Sequence, residues 1–191
     1  ISLSINLGLL FVFKFLFFFS ENLQNLLHFL DFNIKIPLYE LTLPLGISFY
    51  TFQTISYTVD VYRGHIKPQK NFITYGCYVM FFPQLVAGPI LRAGEVLHQF
   101  LEKKQFKSYY VTYGIERILY GLFLKTVLAD NIAPFVDEIF LNPIGLDSFA
   151  IVLGTIAFGI QLYCDFSGYS DMAIGISRCF AIKLPINFYS P

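Results

Sequence analysis

The sequence predicts an all-α, polytopic integral membrane protein, and three observations carry that prediction. Of its 191 residues, 55% are hydrophobic and 19% aromatic against 14% charged. Mean hydropathy is +0.60, outside the range of ordinary soluble domains. Long runs without charge recur along the chain, and the polar stretches between them sort by sign. A crossing needs ~20 mostly apolar residues, and lipid offers no partner to a backbone amide outside a helix or a closed barrel.

Taken in order, the first run covers residues 1–19 and is interrupted only by Lys14. It has neither a basic start nor a small-residue cleavage site, so it reads as a span rather than a leader. Residues 41–59, 71–91 and 148–164 carry no charge, and 118–136 contains Lys125 and Asp130 in an otherwise apolar setting. Between the runs, residues 20–40 hold Glu21, Asp31 and Glu40 against Lys35, and 130–147 hold Asp130, Asp137, Glu138 and Asp147 with no Lys or Arg. Residues 60–70 instead carry Arg63, Lys67 and Lys70, and 92–117 carry Arg92, Lys103, Lys104, Lys107 and Arg117. The positive-inside rule places the two basic stretches in the cytoplasm and the two acidic ones outside.

That assignment puts both flanks of residues 71–91, Lys70 and Arg92, on the same side. One crossing cannot start and finish there. Pro83, Gly88 and Pro89 interrupt its second half, so a re-entrant or broken helix is expected, a kinked span with a misjudged loop being the competing reading. Residues 92–117 are polar enough to lie on the cytoplasmic surface, where Leu97, Phe100, Tyr109 and Tyr110 could dip into the interface and the lysines meet headgroups of membrane lipid.

Net charge is zero, and no basic block suggests nucleic acid. Cys77, Cys164 and Cys179 lack any ligand or disulfide spacing and read as small hydrophobes, so no metal site is expected. No repeat or linker divides the chain, and residues 1–191 read as a single membrane domain, incomplete at both ends.

The polar residues near apolar runs are the candidates for chemistry. The stretch "DFSGYSD" follows the span 148–164 and is expected to turn at its cytoplasmic end before a second helical piece at 171–182. There Gly168 would supply backbone freedom, Ser167 or Ser170 a cap, and Asp171 a favourable charge in the first turn. Asp165, an ionisable group beside a span, is expected to face a polar cavity or a partner. Gln53, Gln84 and Gln161 read as interhelical hydrogen-bonding groups. His28, His65 and His98 all read as surface histidines, with no base and nucleophile arrangement around them. Physics alone leaves a transporter, a pore and an intramembrane enzyme open.

Three stretches narrow the choice: "LPLGISFYTFQTISYTVDVYRG" (43–64), "FFPQLVAGPILR" (81–92) and "QLYCDFSGYSDMAIGISRCFAIKLPINFYSP" (161–191). In that order they resemble successive motifs of the membrane-bound O-acyltransferase family. The resemblance is strongest to the bacterial branch acting in alginate O-acetylation and in D-alanyl transfer to teichoic acid. It implies part of a many-helix fold around a funnel, in an enzyme of the bacterial cytoplasmic (inner) membrane. Such an enzyme moves an acyl group, acetyl in the alginate-like branch, from a thioester donor to hydroxyls of an exported polysaccharide. The donor, acetyl-CoA or an acyl carrier, is then a substrate rather than a tightly bound cofactor. An accessory periplasmic or extracellular subunit is implied on the acceptor side.

By the same resemblance, Gln53 from the first motif, Pro83, Gln84, Gly88 and Pro89 from the second, and Gln161, Asp165, Ser167, Gly168, Tyr169, Asp171 and Asn187 from the third would frame the transfer cavity. The family's active histidine follows the "NF.P" element in a Trp- and Arg-rich stretch. This chain contains no Trp, and none of its three histidines matches that position, so the base is expected beyond Pro191. A catalytically dead scaffold is the remaining alternative, and the fragment by itself is expected to be inactive.

Overall fold

In the computed structural model, regular structure is entirely helical among the described residues, which are 1–32, 41–85, 88–89, 91–142 and 145–188. The chain divides into two compact units, Ile1–Lys70 and Asn71–Pro191. In the first, α1 (Ser2–Phe29) is a Leu- and Phe-rich rod of 28 residues. It runs ten residues past the expected end of the first span, through Ser20, Glu21 and Asn22. The second half of the acidic stretch, residues 33–40, lies outside the described residues.

The second element departs from expectation. Residues 41–46 are not helical, and α2 (Ile47–Tyr62) has 16 residues, beginning after Gly46 at φ 74°. Pro44 and the left-handed Gly46 end any helical approach from the N-terminal side. Gln53 lies in α2 and is buried. Within this unit Ser2 Oγ is 3.2 Å from Thr58 Oγ1, and the Gln69 amide donates to the Tyr57 hydroxyl at 2.8 Å.

In the second unit, Asn71 caps α3 (Phe72–Val79), its side chain accepting from the amides of Ile73 and Thr74. The helix stops after eight residues. The chain breaks, winds one 3₁₀ turn over Phe82–Gln84 and reaches the short α4 (Ala93–Val96). A broken helix is therefore what residues 71–91 form. Pro83, Gln84 and Pro89 are buried in it, and Tyr78 donates its hydroxyl to the Leu91 carbonyl at 3.2 Å.

Residues 108–141 are one continuous helical rod of 34 residues: α5 (Ser108–Phe123), a π-helical segment (Leu124–Ala129) and α6 (Asp130–Leu141). The expected surface segment 92–117 is thus surface-like only to about residue 107. Its last ten residues belong to a membrane-length helix, and Arg117 lies inside that helix rather than at the end of a loop. Asp147 then caps α7 (Ser148–Cys179), accepting from the Ala150 amide at 2.9 Å.

The largest correction concerns α7. Its 32 residues are unbroken, so "DFSGYSD" is mid-helix rather than a turn, and neither Ser170 nor Asp171 caps anything. Both are buried, with Ser167 and Gly168. Gly168 is helical here because it meets another backbone, as shown below, rather than because it turns. The helix ends instead at Phe180, where Ala181 takes φ 57° and the Ile182 amide bonds back to the Ser177 carbonyl at 2.9 Å. Residues 182–188 then return along α7, with Phe188 set edge-on against Tyr163 and Phe166.

Among the described residues, three helices are long and apolar enough to cross a membrane: Ser2–Phe29, Ser108–Leu141 and Ser148–Cys179. Only 6%, 17% and 11% of their apolar windows are buried. Outward-facing apolar surface on that scale needs lipid or further protein against it.

Candidate active-site cleft

Glycines set the geometry of the α5–α7 pair. Gly114 and Gly121 lie seven residues apart, two helical turns, and so do Gly168 and Gly175. The two pairs face each other in antiparallel register. A Cβ added at Gly114 would come within 2.6 Å of the Gly175 carbonyl oxygen, and one at Gly175 within 2.5 Å of the Gly114 oxygen. Gly121 and Gly168 meet in the same reciprocal way. Each glycine costs roughly 1 kcal/mol of helix propensity, and close backbone approach is what this offsets in a membrane, where apolar side chains gain nothing from leaving lipid. Near the far end of the hairpin, Gly154 leaves room for Ile139.

Polar groups flank this glycine seam. Arg117 Nη1 lies 2.5 Å from Asp171 Oδ1, with the arginine side chain 27% and the aspartate 10% exposed. The same guanidinium donates through Nε to the Tyr113 hydroxyl at 3.2 Å. About two helical turns away along the pair, Lys125 Nζ bonds Asp165 at 2.7 Å and Asp130 at 3.0 Å. Lys125 stands in the π-helical segment, near mid-length of its 34-residue rod.

The Arg117–Asp171 pair opens onto a cleft of about 470 Å³. α5 contributes Tyr113, Glu116, Arg117 and Tyr120, α7 contributes Tyr163, Ser167 and Asp171, and the returning segment closes one side with Ile186 and Phe188. The aromatic clasp of Phe188 on Tyr163 and Phe166 is what holds that segment at the rim. The cleft therefore offers a fixed ion pair, a serine hydroxyl and tyrosine hydroxyls in a wall of apolar rings. Such a site can orient a polar substrate, but none of the three histidines lines it.

Of the residues proposed from sequence, Ser167 and Asp171 line the cleft and Gly168 sets the helix spacing behind it. Asn187 sits between two lining residues of the returning segment and is exposed. Asp165 faces Lys125 on another side of α7, and Gln161 lies one turn further along that face, half-buried. Tyr169 is half-buried. Pro83, Gln84, Gly88 and Pro89 are not among the lining residues. They support α7 from behind, Gly88 at φ 145° bringing its backbone near Ala173. Gln53 belongs to the other unit. The sequence reading missed Tyr113, Arg117 and Tyr120, and the seven-residue glycine spacing on both helices was the signal that would have placed them opposite α7.

Residues 63–191, which contain the whole cleft, match the model of the membrane-bound O-acyltransferase family. The chain is 40% identical over 151 residues to the probable alginate O-acetylase of Azotobacter vinelandii, covering 78% of this chain and 30% of that protein. It is 38% identical to the peptidoglycan O-acetyltransferase of Helicobacter pylori, covering 97% of this chain and 39% of that protein. The teichoic acid D-alanyltransferase of Bacillus subtilis is 27% identical, covering 77% of this chain and 38% of that protein. The chain thus spans between 30% and 39% of the length of these relatives. With the matched region, the identities and the membrane-length helices in agreement, the chain belongs to the membrane-bound O-acyltransferase family.

Proposed function

We propose that this chain is part of a membrane O-acyltransferase that moves an acetyl group from a thioester donor to hydroxyls of an exported polysaccharide such as alginate. The observation that carries the reading is where the third motif lies. Its helix supplies Ser167 and Asp171 to the cleft, and its last residues, Ile186 and Phe188, form the cleft's rim. Identities near 40% to O-acetylating relatives over the same region support the acetyl group.

In this reading a histidine of the whole protein acts as general base. It takes the proton of an acceptor hydroxyl as the oxygen attacks the thioester carbonyl, the C–S bond breaks, and the leaving thiolate recovers the proton. The contribution of residues 113–171 is to hold the groups in place. Arg117 and Asp171 neutralise one another, so neither is free to draw water into the cleft. The donor is acetyl-CoA or an acyl carrier, and an accessory subunit completes transfer beyond the bilayer of a bacterial cytoplasmic membrane.

The test is made with the full-length protein in its host. Deleting the gene is expected to abolish O-acetyl groups on the exported polymer, measured by NMR of the purified polysaccharide. Unchanged acetylation in the deletion strain would reject the reading. Within that assay Asp165→Ala is expected to lower acetylation severalfold while the protein remains inserted and folded. Lys125 keeps Asp130 as a partner, so the hairpin survives the loss of one carboxylate. Full acetylation in this variant would remove any role for the Lys125 cluster in turnover.

A further inference from the structure

We propose that a second cavity, at the basic end of the α5–α7 hairpin, binds the phosphate of an anionic phospholipid. This cavity, about 200 Å³, is lined by Tyr109, Tyr113, Arg178 and Lys183 over a floor that includes Ile182 and Leu184. It shares the Tyr113 wall with the cleft but not its charge. The cleft carries Glu116 and Asp171 against Arg117, whereas among the described residues the ionised side chains lining this cavity are two cations. Among the described residues, neither Arg178 nor Lys183 enters an ion pair.

The Arg178 guanidinium is held in place, and Lys183 is anchored at its backbone, its ammonium reaching from an exposed position. The Arg178 guanidinium stacks 4.3 Å above the Tyr110 ring and 6.0 Å from Tyr113. Stacking fixes the plane of a guanidinium and leaves its edge donors free for phosphate oxygens. Lys183 is fixed through its backbone, since Gln99 accepts from its amide at 2.8 Å and donates to its carbonyl at 2.9 Å. Lys107, 5.8 Å from the Tyr110 ring, adds a third cation nearby.

The surroundings favour a lipid as the source of the phosphate. Tyrosines and cations gathered at one end of membrane-length helices mark headgroup level, and basic pockets there take acidic headgroups. The isoleucine and leucine floor suits the glycerol and first methylenes of a lipid. A volume of about 200 Å³ holds a phosphate with its glycerol, but lies below the 300 Å³ at which sites for larger ligands such as nucleotides begin. The inference does not depend on the acyl-transfer reading.

The experiment titrates purified full-length protein in neutral detergent with phosphatidylglycerol or phosphatidylcholine and counts retained lipid by native mass spectrometry. Phosphatidylglycerol is expected to be retained and phosphatidylcholine not. Removing a positive charge near the surface lowers affinity about fivefold, so Arg178→Gln with Lys183→Gln is expected to weaken retention roughly 25-fold. Lys183→Glu alone should weaken it more than fivefold, and because Lys183 is exposed this variant stays readable if the double variant misfolds. Lys103→Gln with Lys104→Gln should change little. Coenzyme A and inorganic phosphate at millimolar concentration are expected not to displace the lipid. Equal retention by the Arg178 and Lys183 variants, equal loss in the Lys103 and Lys104 control, or displacement by either soluble phosphate would overturn the proposal.

Discussion

Asp171→Asn in the full-length protein is expected to reduce polysaccharide acetylation more than tenfold and to lower thermal stability in detergent. The carboxylate is one-tenth exposed and sits 2.5 Å from Arg117, so the variant strands a guanidinium in a wall of rings. Removing one partner of a largely buried pair costs about 3 kcal/mol, chiefly through the charge left behind. Arg117→Met should cost a similar amount, and Arg117→Met combined with Asp171→Leu less than the two added together. That non-additivity distinguishes a coupled pair from two independent contributors. If the double variant recovered stability but not acetylation, the pair would have a positioning role beyond holding the hairpin. Additive losses in stability would mean that the two groups act separately.

Gly121→Val is expected to be the most damaging single change in the hairpin. The new Cβ would run into the Gly168 carbonyl and into Met172, whose amide nitrogen would stand at 2.8 Å. Backbone cannot rotate away as a side chain can, so the helices must separate along the whole seam. Overpacking of this kind costs about 3 kcal/mol or more, and an apparent unfolding temperature lower by roughly 10 °C is expected. Gly159→Ala provides the control on α7 itself. Nothing lies within 4 Å of its added Cβ, so the better helix propensity of alanine should leave stability unchanged or slightly raised. Equal damage from both substitutions would show that glycine flexibility, rather than backbone contact, is what matters.

The contrast between these glycines shows how much the sequence revealed. Apolar runs located α1, the rod through residues 118–136 and the first half of α7, because the bilayer's demand for apolar length is written directly into composition. The break after Val79 was visible for the same reason, Pro83, Gly88 and Pro89 being poor helix formers wherever they stand. What was not visible was that Gly168, Ser170 and Asp171 continue a helix. Their local preference is for caps and turns, and only the partner helix, through Gly121 and Arg117, overrides it. Arg117 itself was counted with the basic loop, since charge alone does not distinguish the end of a loop from a paired group within a helix. The two members of the ion pair lie 54 residues apart, and their meeting is a property of register.

The continuity of α7 has a mechanical meaning. A helix of 32 residues is about 48 Å long and contains no proline, so it moves as a lever rather than as two jointed arms. Any movement that opens the cleft then falls to the neighbours of α7. The returning segment at residues 182–188 is held to it by ring contacts, and the rod at 108–141 carries a π-helical segment and Pro134 along its length. A force applied at Asp147, at the acidic end, would reach Asp171 as a displacement of the whole rod, so the two faces of the membrane are geared together through a single piece of backbone.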